Sequence, residues 1–231
     1  MVNVLNIRER ELPVAIQQAG VLIDSLSSRD DVLWPTHSWP RMAFDRPLRV
    51  GASGGHGPIR YVVAAYTPGR SIQFRFTGPR GFIGYHGYVV TSTGTHSCEL
   101  RHRLEMQTHG PARISWPLVF KPLHDALIED SLASAQVALG LAPNIQPWSV
   151  WVRMLRWVFA GGKSRSQMVA PANKPCQSKS RLRIGLRIGL RRLINSQQMI
   201  INSWEEHVTF CRLSAWDIPN QRQDAGSKTI V

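Results

Sequence analysis

One stretch limits the fold more than any other: a long apolar helix from about Trp116 to Leu139, with Trp116, Val119, Phe120, Leu123 and Leu127 on one stripe and Gly140 as a stop. Pro117 suits a first turn, whereas Pro122 falls inside and should kink or restart the helix there. The helix follows one strand, a helical stretch and a run of alternating segments. A sheet closing around a single long helix encloses a hollow rather than a solid core.

The alternating segments are bounded by glycine and proline signals. Val2–Leu12 alternates as a strand with one wet face would, and Pro13 ends it, supplying the first position of a helix over VAIQQAGVLIDSL. Ser27 or Ser28 can cap a second short helix through Asp31, ahead of Trp34-Pro35. Strands are expected at Pro47–Gly51, Ile59–Thr67, Ser71–Thr77, Phe82–Thr91 and Ser97–Gln107, turning at GASGGHGP, PGR, GPRG and STGTH. Short connections make them antiparallel neighbours. In the last strand Cys98, Leu100, His102, Leu104 and Met106 share a covered face, with Glu99, Arg101, Arg103 and Glu105 on the wet one.

Beyond Pro143 the character changes. WSVWVRMLRWVF, residues 148–159, is apolar around most of a helical wheel and calls for a partner surface. The net charge of +13 is uneven, because residues 163–231 hold 12 Lys and Arg against 4 Asp and Glu, so the question of nucleic acid or anionic membrane as partner attaches to this basic tail. Within it RLRIGLRIGLRRL alternates apolar with Arg or Gly, which suits a two-faced strand better than a helix. A low-order extension without function is the alternative reading of the tail. Cys98, Cys176 and Cys211 are scattered with no metal-binding spacing, so neither a disulfide scaffold nor a structural metal is expected, and no cofactor is called for. The N-terminus shows no apolar leader core and no run of 18 uncharged apolar residues occurs. A soluble cytoplasmic protein is the expectation.

IRERELPVAIQQAGVLIDSLSSRDDVLWP, then GGHGPIRYVVAAYTPGRSIQFRFTGPRGF, then the WPLVFKPLHDALIEDSLASAQVALG helix together resemble the START-like SRPBCC superfamily, of the polyketide cyclase and birch-pollen-allergen type, over roughly residues 2–140. The resemblance rests on element order and loose similarity, since this superfamily has no short diagnostic motif. It implies an α+β helix-grip fold, a curved antiparallel sheet gripping the long helix around an apolar ligand cavity; many relatives bind lipids, hormones or polyketide-like molecules and some cyclise or hydrolyse them. The expected organisation is a helix-grip domain over residues 1–142, an amphipathic helix over 143–162 and a basic, poorly ordered tail over 163–231.

Candidate cavity residues are Tyr61, Phe74, Phe76, His86, Tyr88, His102, Leu104 and His124. Aromatic side chains on a covered sheet face suit flat apolar ligands, and equally suit plain core. A hairpin centred near Gly94 would set His86 opposite His102, a pair able to hydrogen-bond a ligand oxygen, to act as acid and base near neutral pH, or simply to satisfy each other. His124 reaches the cavity mouth or packs within the helix, while Lys121 and Asp125 form an i,i+4 surface pair. GASGGHGP lacks the context of a phosphate loop and fits a flexible lid. No GxSxG elbow is present, because GASGG at 51–55 precedes a strand and does not open a helix, and no HExxH occurs. The function expected is binding of a small hydrophobic ligand, lipid or polyketide-like, without required catalysis. The alternatives are a cyclase or dehydratase with a cavity histidine as general base, and an interaction module acting through the basic tail.

Overall fold

Among the described residues, seven strands make one curved, unclosed antiparallel sheet: β1 (Val2–Leu12), β2 (Ala43–Phe44), β3 (Ser53–His56), β4 (Ile59–Thr67), β5 (Ser71–Gly78), β6 (Phe82–Gly94) and β7 (Ser97–Thr108). Their order is β1-β7-β6-β5-β4-β3-β2. The helices are α1 (Ile16–Ser25), α2 (Ala112–Ser115), α3 (Lys121–Ala138) and α4 (Val150–Phe159), with a wider π turn, Trp116–Phe120, between α2 and α3. This is the computed structural model of the chain; it describes residues 1–160 and 166–167, all within one unit, Met1–Asn173. The alternating stretch at 181–191, the low-order reading of residues 163–231 apart from 166–167, and the cysteines Cys176 and Cys211 lie outside the described residues.

The alternation in β7 is realised as expected, with Cys98, Leu100, His102, Leu104 and Met106 all buried on the concave face. The hairpin register differs from expectation. Val90 faces Leu100, Tyr88 faces His102, and His86 faces Leu104 rather than His102. The turn falls at Thr95-His96 and the pairing shifts between Ser92 and Gly94, which displaces the strands by two residues. An even displacement leaves every side chain on its own face, so the histidines stay together as diagonal neighbours.

Two other expectations are corrected. Residues 27–31 are turns, not a second helix, because the Asp31 carboxylate accepts the backbone N–H groups of Ser27, Leu33 and Trp34 at 2.7, 3.1 and 2.8 Å. Pro47–Gly51 is a loop, closed at its base by Asp45, whose N–H reaches Ser53 O at 2.9 Å and whose carboxylate accepts Ser53 N–H at 3.0 Å. The sheet continues through β2 and β3 instead.

The long helix is built as its prolines dictate. The N–H of Lys121 reaches back five residues to Trp116 O, which is the π turn. Pro122 has no N–H for Leu118 O, and the Trp151 indole from α4 donates to that carbonyl at 2.7 Å. At the far end Gly140, at φ +73°, closes α3 with bonds from Gly140 N–H to Val137 O and from Leu141 N–H to Gln136 O. Edge strand β1 grips the helix through Asn6–Asp125 (2.7 Å), Arg8–Asp125 (2.9 Å) and Arg10–Glu129 (2.7 Å), with Lys121–Asp125 at 2.7 Å.

Helix α1 closes the other end of the sheet. Asp24 accepts Gly69 N–H at 2.9 Å and the Tyr66 hydroxyl at 2.8 Å, locking α1 on the β4–β5 turn. The approach is so close that a Cβ at Gly20 would stand 2.2 Å from Gly69 O. Gly20→Ala is therefore expected to destabilise the fold by about 1–3 kcal/mol, read as a lower urea midpoint. An unchanged midpoint would show that the two backbones do not meet this closely.

Candidate functional site

Between the concave sheet and α3 lies a cavity of about 560 Å³. Its floor is made by β5, β6 and β7, one wall by the π turn and the start of α3, and its roof by the loop around Trp34–Pro40 and the end of α4. The cavity divides the core. Phe76, Phe82, Leu104, Met106, Ala112 and Trp116 form one buried cluster, and most of the other buried apolar side chains form another centred on α1, α3 and the remaining sheet. Side chains of both clusters line the space between them.

Of the residues singled out in the sequence, Phe76, His86, His102, Leu104 and His124 line this space. Tyr61, Phe74 and Tyr88 stand behind it as wall. Tyr61 and Phe74 are fully buried against each other, ring centroids 4.9 Å apart. Tyr88 meets Ser131 Oγ at 2.8 Å, and because Ser131 donates its single proton to Leu33 O at 3.0 Å, Tyr88 is the donor to Ser131. The glycine-rich segment at His56 is a β3–β4 hairpin rather than a flexible lid, with His56 Nδ1 and the Tyr61 hydroxyl sharing a hydrogen bond of 3.0 Å.

Three imidazoles run through the cavity wall in file. The His86 and His102 ring centroids are 5.6 Å apart and those of His102 and His124 are 5.1 Å apart. His86 also stacks on Phe76 at 4.7 Å. His86 Nε2, His102 Nδ1 and both nitrogens of His124 have no hydrogen-bond partner among the described residues. His124 Nδ1 is 3.7 Å from Asp125 Oδ1, beyond hydrogen-bond reach, so the neighbours on α3 are no dyad. Burial pushes the pKa of all three down from the ordinary imidazole range, partly offset at His124 by Asp125, and pushes His56 down to about 3. Asp125, despite its burial, is held below the usual carboxylate range by the neighbouring His124 imidazole, by hydrogen bonds from Lys121 and Asn6 and by the charge of Arg8. At neutral pH the cavity histidines are uncharged, each with one donor and one acceptor nitrogen.

The roof was not legible as a site in the sequence. Asp130, 2% exposed in the middle of an otherwise apolar helix face, accepts the indole N–H of Trp39 at 2.8 Å and of Trp148 at 2.9 Å. Arg156 lies over both rings, 4.1 Å and 3.9 Å from their centroids, and donates to Ser38 O. Arg156 and Phe159 complete the cavity lining. A lone carboxylate on the buried face of α3 was the available signal, since such a group must find donors. Among the described residues no group of three or more His, Cys, Asp or Glu is placed to hold a metal ion, and no helix is long and apolar enough to cross a membrane.

No protein-family model matches the chain, and no curated protein matches it in sequence. Solved structures do resemble it. Norcoclaurine synthase from Thalictrum flavum, in complex with dopamine and hydroxybenzaldehyde, is 15% identical, with 60% of this chain and 88% of that chain covered and a TM-score of 0.47. CalU16 from Micromonospora echinospora is 10% identical over 70% of this chain and 96% of that one, TM-score 0.44. An HSP90 activator from Plasmodium falciparum is 13% identical over 59% and 96%, TM-score 0.44. The helix-grip architecture itself is read from the strand order and the gripped helix of this chain.

The burial of the histidines has a pH signature. Unfolding returns each imidazole to about 6.5, so below that pH the unfolded chain takes up protons that the folded chain refuses. Stability is thus fully present above about pH 6.5 and falls with acidification. His102→Phe removes one such group and should flatten the slope of unfolding free energy against pH by up to about 1.4 kcal/mol per unit below about pH 6.5. Urea titrations across that range check this, and identical slopes would contradict it.

Proposed function

We propose that the protein binds one small, largely apolar molecule in the cavity between sheet and long helix. The observation that carries this reading is the divided core: about 560 Å³ of aromatic-lined space, with unpartnered imidazole nitrogens in its wall. The volume falls in the range of small-molecule sites, about 300–1,000 Å³. A buried polar atom without a partner costs about 1–3 kcal/mol. A ligand carrying a hydroxyl or carbonyl oxygen would relieve that cost once a turn of the His86, His102 or His124 ring brings a nitrogen to the cavity surface, while its apolar body contacts Phe76, Leu104 and the rings around them. Tyr61, Phe74 and Tyr88 support this from behind by fixing the wall.

The placement of two imidazoles in the cavity lining supports a second reading, a cyclase or dehydratase in which His86 or His102 takes a proton from an activated carbonyl compound, against the burial that disfavours their protonated forms. Binding and turnover separate in one variant. Replacing both His86 and His102 by Phe would abolish turnover of a substrate while keeping uptake of an apolar probe.

Uptake of Nile red by the full-length chain tests the binding reading. Leu123→Trp, which fills the space from the helix side, should weaken uptake at least about tenfold, equivalent to about 1.4 kcal/mol, with thermal unfolding little changed. Failure of the unaltered protein to take up the probe would sink the proposal.

A further inference from the structure

Helix α4 is apolar on two opposite sides. One side buries Val152 and Leu155 against the domain. The other carries Val150, Met154, Trp157 and Val158, spaced i, i+4, i+7 and i+8 and exposed by 75%, 42%, 56% and 57%. A helix with a single partner would present polar side chains there. Trp151 on the flank is bonded to Leu118 O, and Leu118 and Ile114 of the π turn and α2 are themselves 55% and 67% exposed. Contiguous apolar surface of this kind marks an interaction site.

Charge names the partner. Between Asp130 and Glu205 the sequence contains no acidic residue, while those 74 positions carry 11 Lys and Arg, Arg153 and Arg156 of α4 among them. A second copy of the chain would bring the same positive charge against itself. A face of Trp, Val and Met set in cationic sequence matches the boundary of an anionic bilayer, where indole rings sit at headgroup depth and Lys and Arg meet lipid phosphates.

We propose that the outward face of α4 docks on an anionic phospholipid bilayer. Docking does not depend on the identity of the cavity ligand. The test is co-sedimentation of the full-length chain with vesicles of phosphatidylcholine alone or with about 30% phosphatidylserine at about 0.1 M salt. The expected result is partitioning about tenfold stronger onto the anionic vesicles, lost by about tenfold in Trp157→Glu and retained in Trp157→Phe. Trp157 does not line the cavity, so Nile red uptake without vesicles should be unchanged in both variants, which separates failure of docking from failure of ligand binding. Three results would overturn the proposal: no partitioning of the unaltered chain, partitioning indifferent to Trp157→Glu and so due to tail charge alone, or a dimer in solution that Trp157→Glu dissolves without any vesicle binding.

Discussion

Two adjacent polar residues in the middle of α3 hold the roof over the cavity. Ser131 receives the Tyr88 proton from the sheet and gives its own to Leu33 O in the loop, while Asp130 receives the indoles of Trp39 and Trp148. A buried carboxylate and a buried hydroxyl are tolerated only when their hydrogen bonds are made. Here making them ties the sheet, the loop around Trp34–Pro40 and the segment leading into α4 to one point on the helix. Arg156 to Ser38 O and the Trp151 indole to Leu118 O reinforce that tie, and together they keep the loop and α4 over the hollow as a second layer on the apolar face of α3.

The hollow survives because its walls are already satisfied by other partners. Tyr61 is occupied by His56 and Phe74, Tyr88 by Ser131, and the start of α3 by edge strand β1. Side chains so engaged cannot swing inward to fill the space, and packed interiors do not deform continuously. What remains facing inward is a ring of aromatic carbon and three neutral imidazoles, a surface that selects for an apolar body with few polar atoms.

The sequence made the sheet and helix legible because both obey simple periods: β7 alternates without a break, and α3 is bounded by Pro122 and Gly140. The candidate histidines were placed on the correct face for the same reason, although the turn at Thr95-His96 moved their register by two residues. Phe76, His86, His102, Leu104 and His124 were therefore identified as lining, whereas Tyr61, Phe74 and Tyr88 were not distinguishable from lining, since alternation reports a face and not a depth. The roof was illegible because its contacts join residues far apart in the chain. Asp130 to Trp39 and Arg156 to Ser38 follow no period that a linear reading can detect.

Native mass spectrometry of the full-length chain purified from cells tests the central claim most directly, because it reads occupancy of the cavity without assuming a ligand. The account predicts a single small-molecule adduct that is lost on denaturation and whose extracted mass belongs to a largely apolar compound. A protein at its bare mass, which also forms no adduct after incubation with excess Nile red, would contradict it and would mean that the divided core closes in solution.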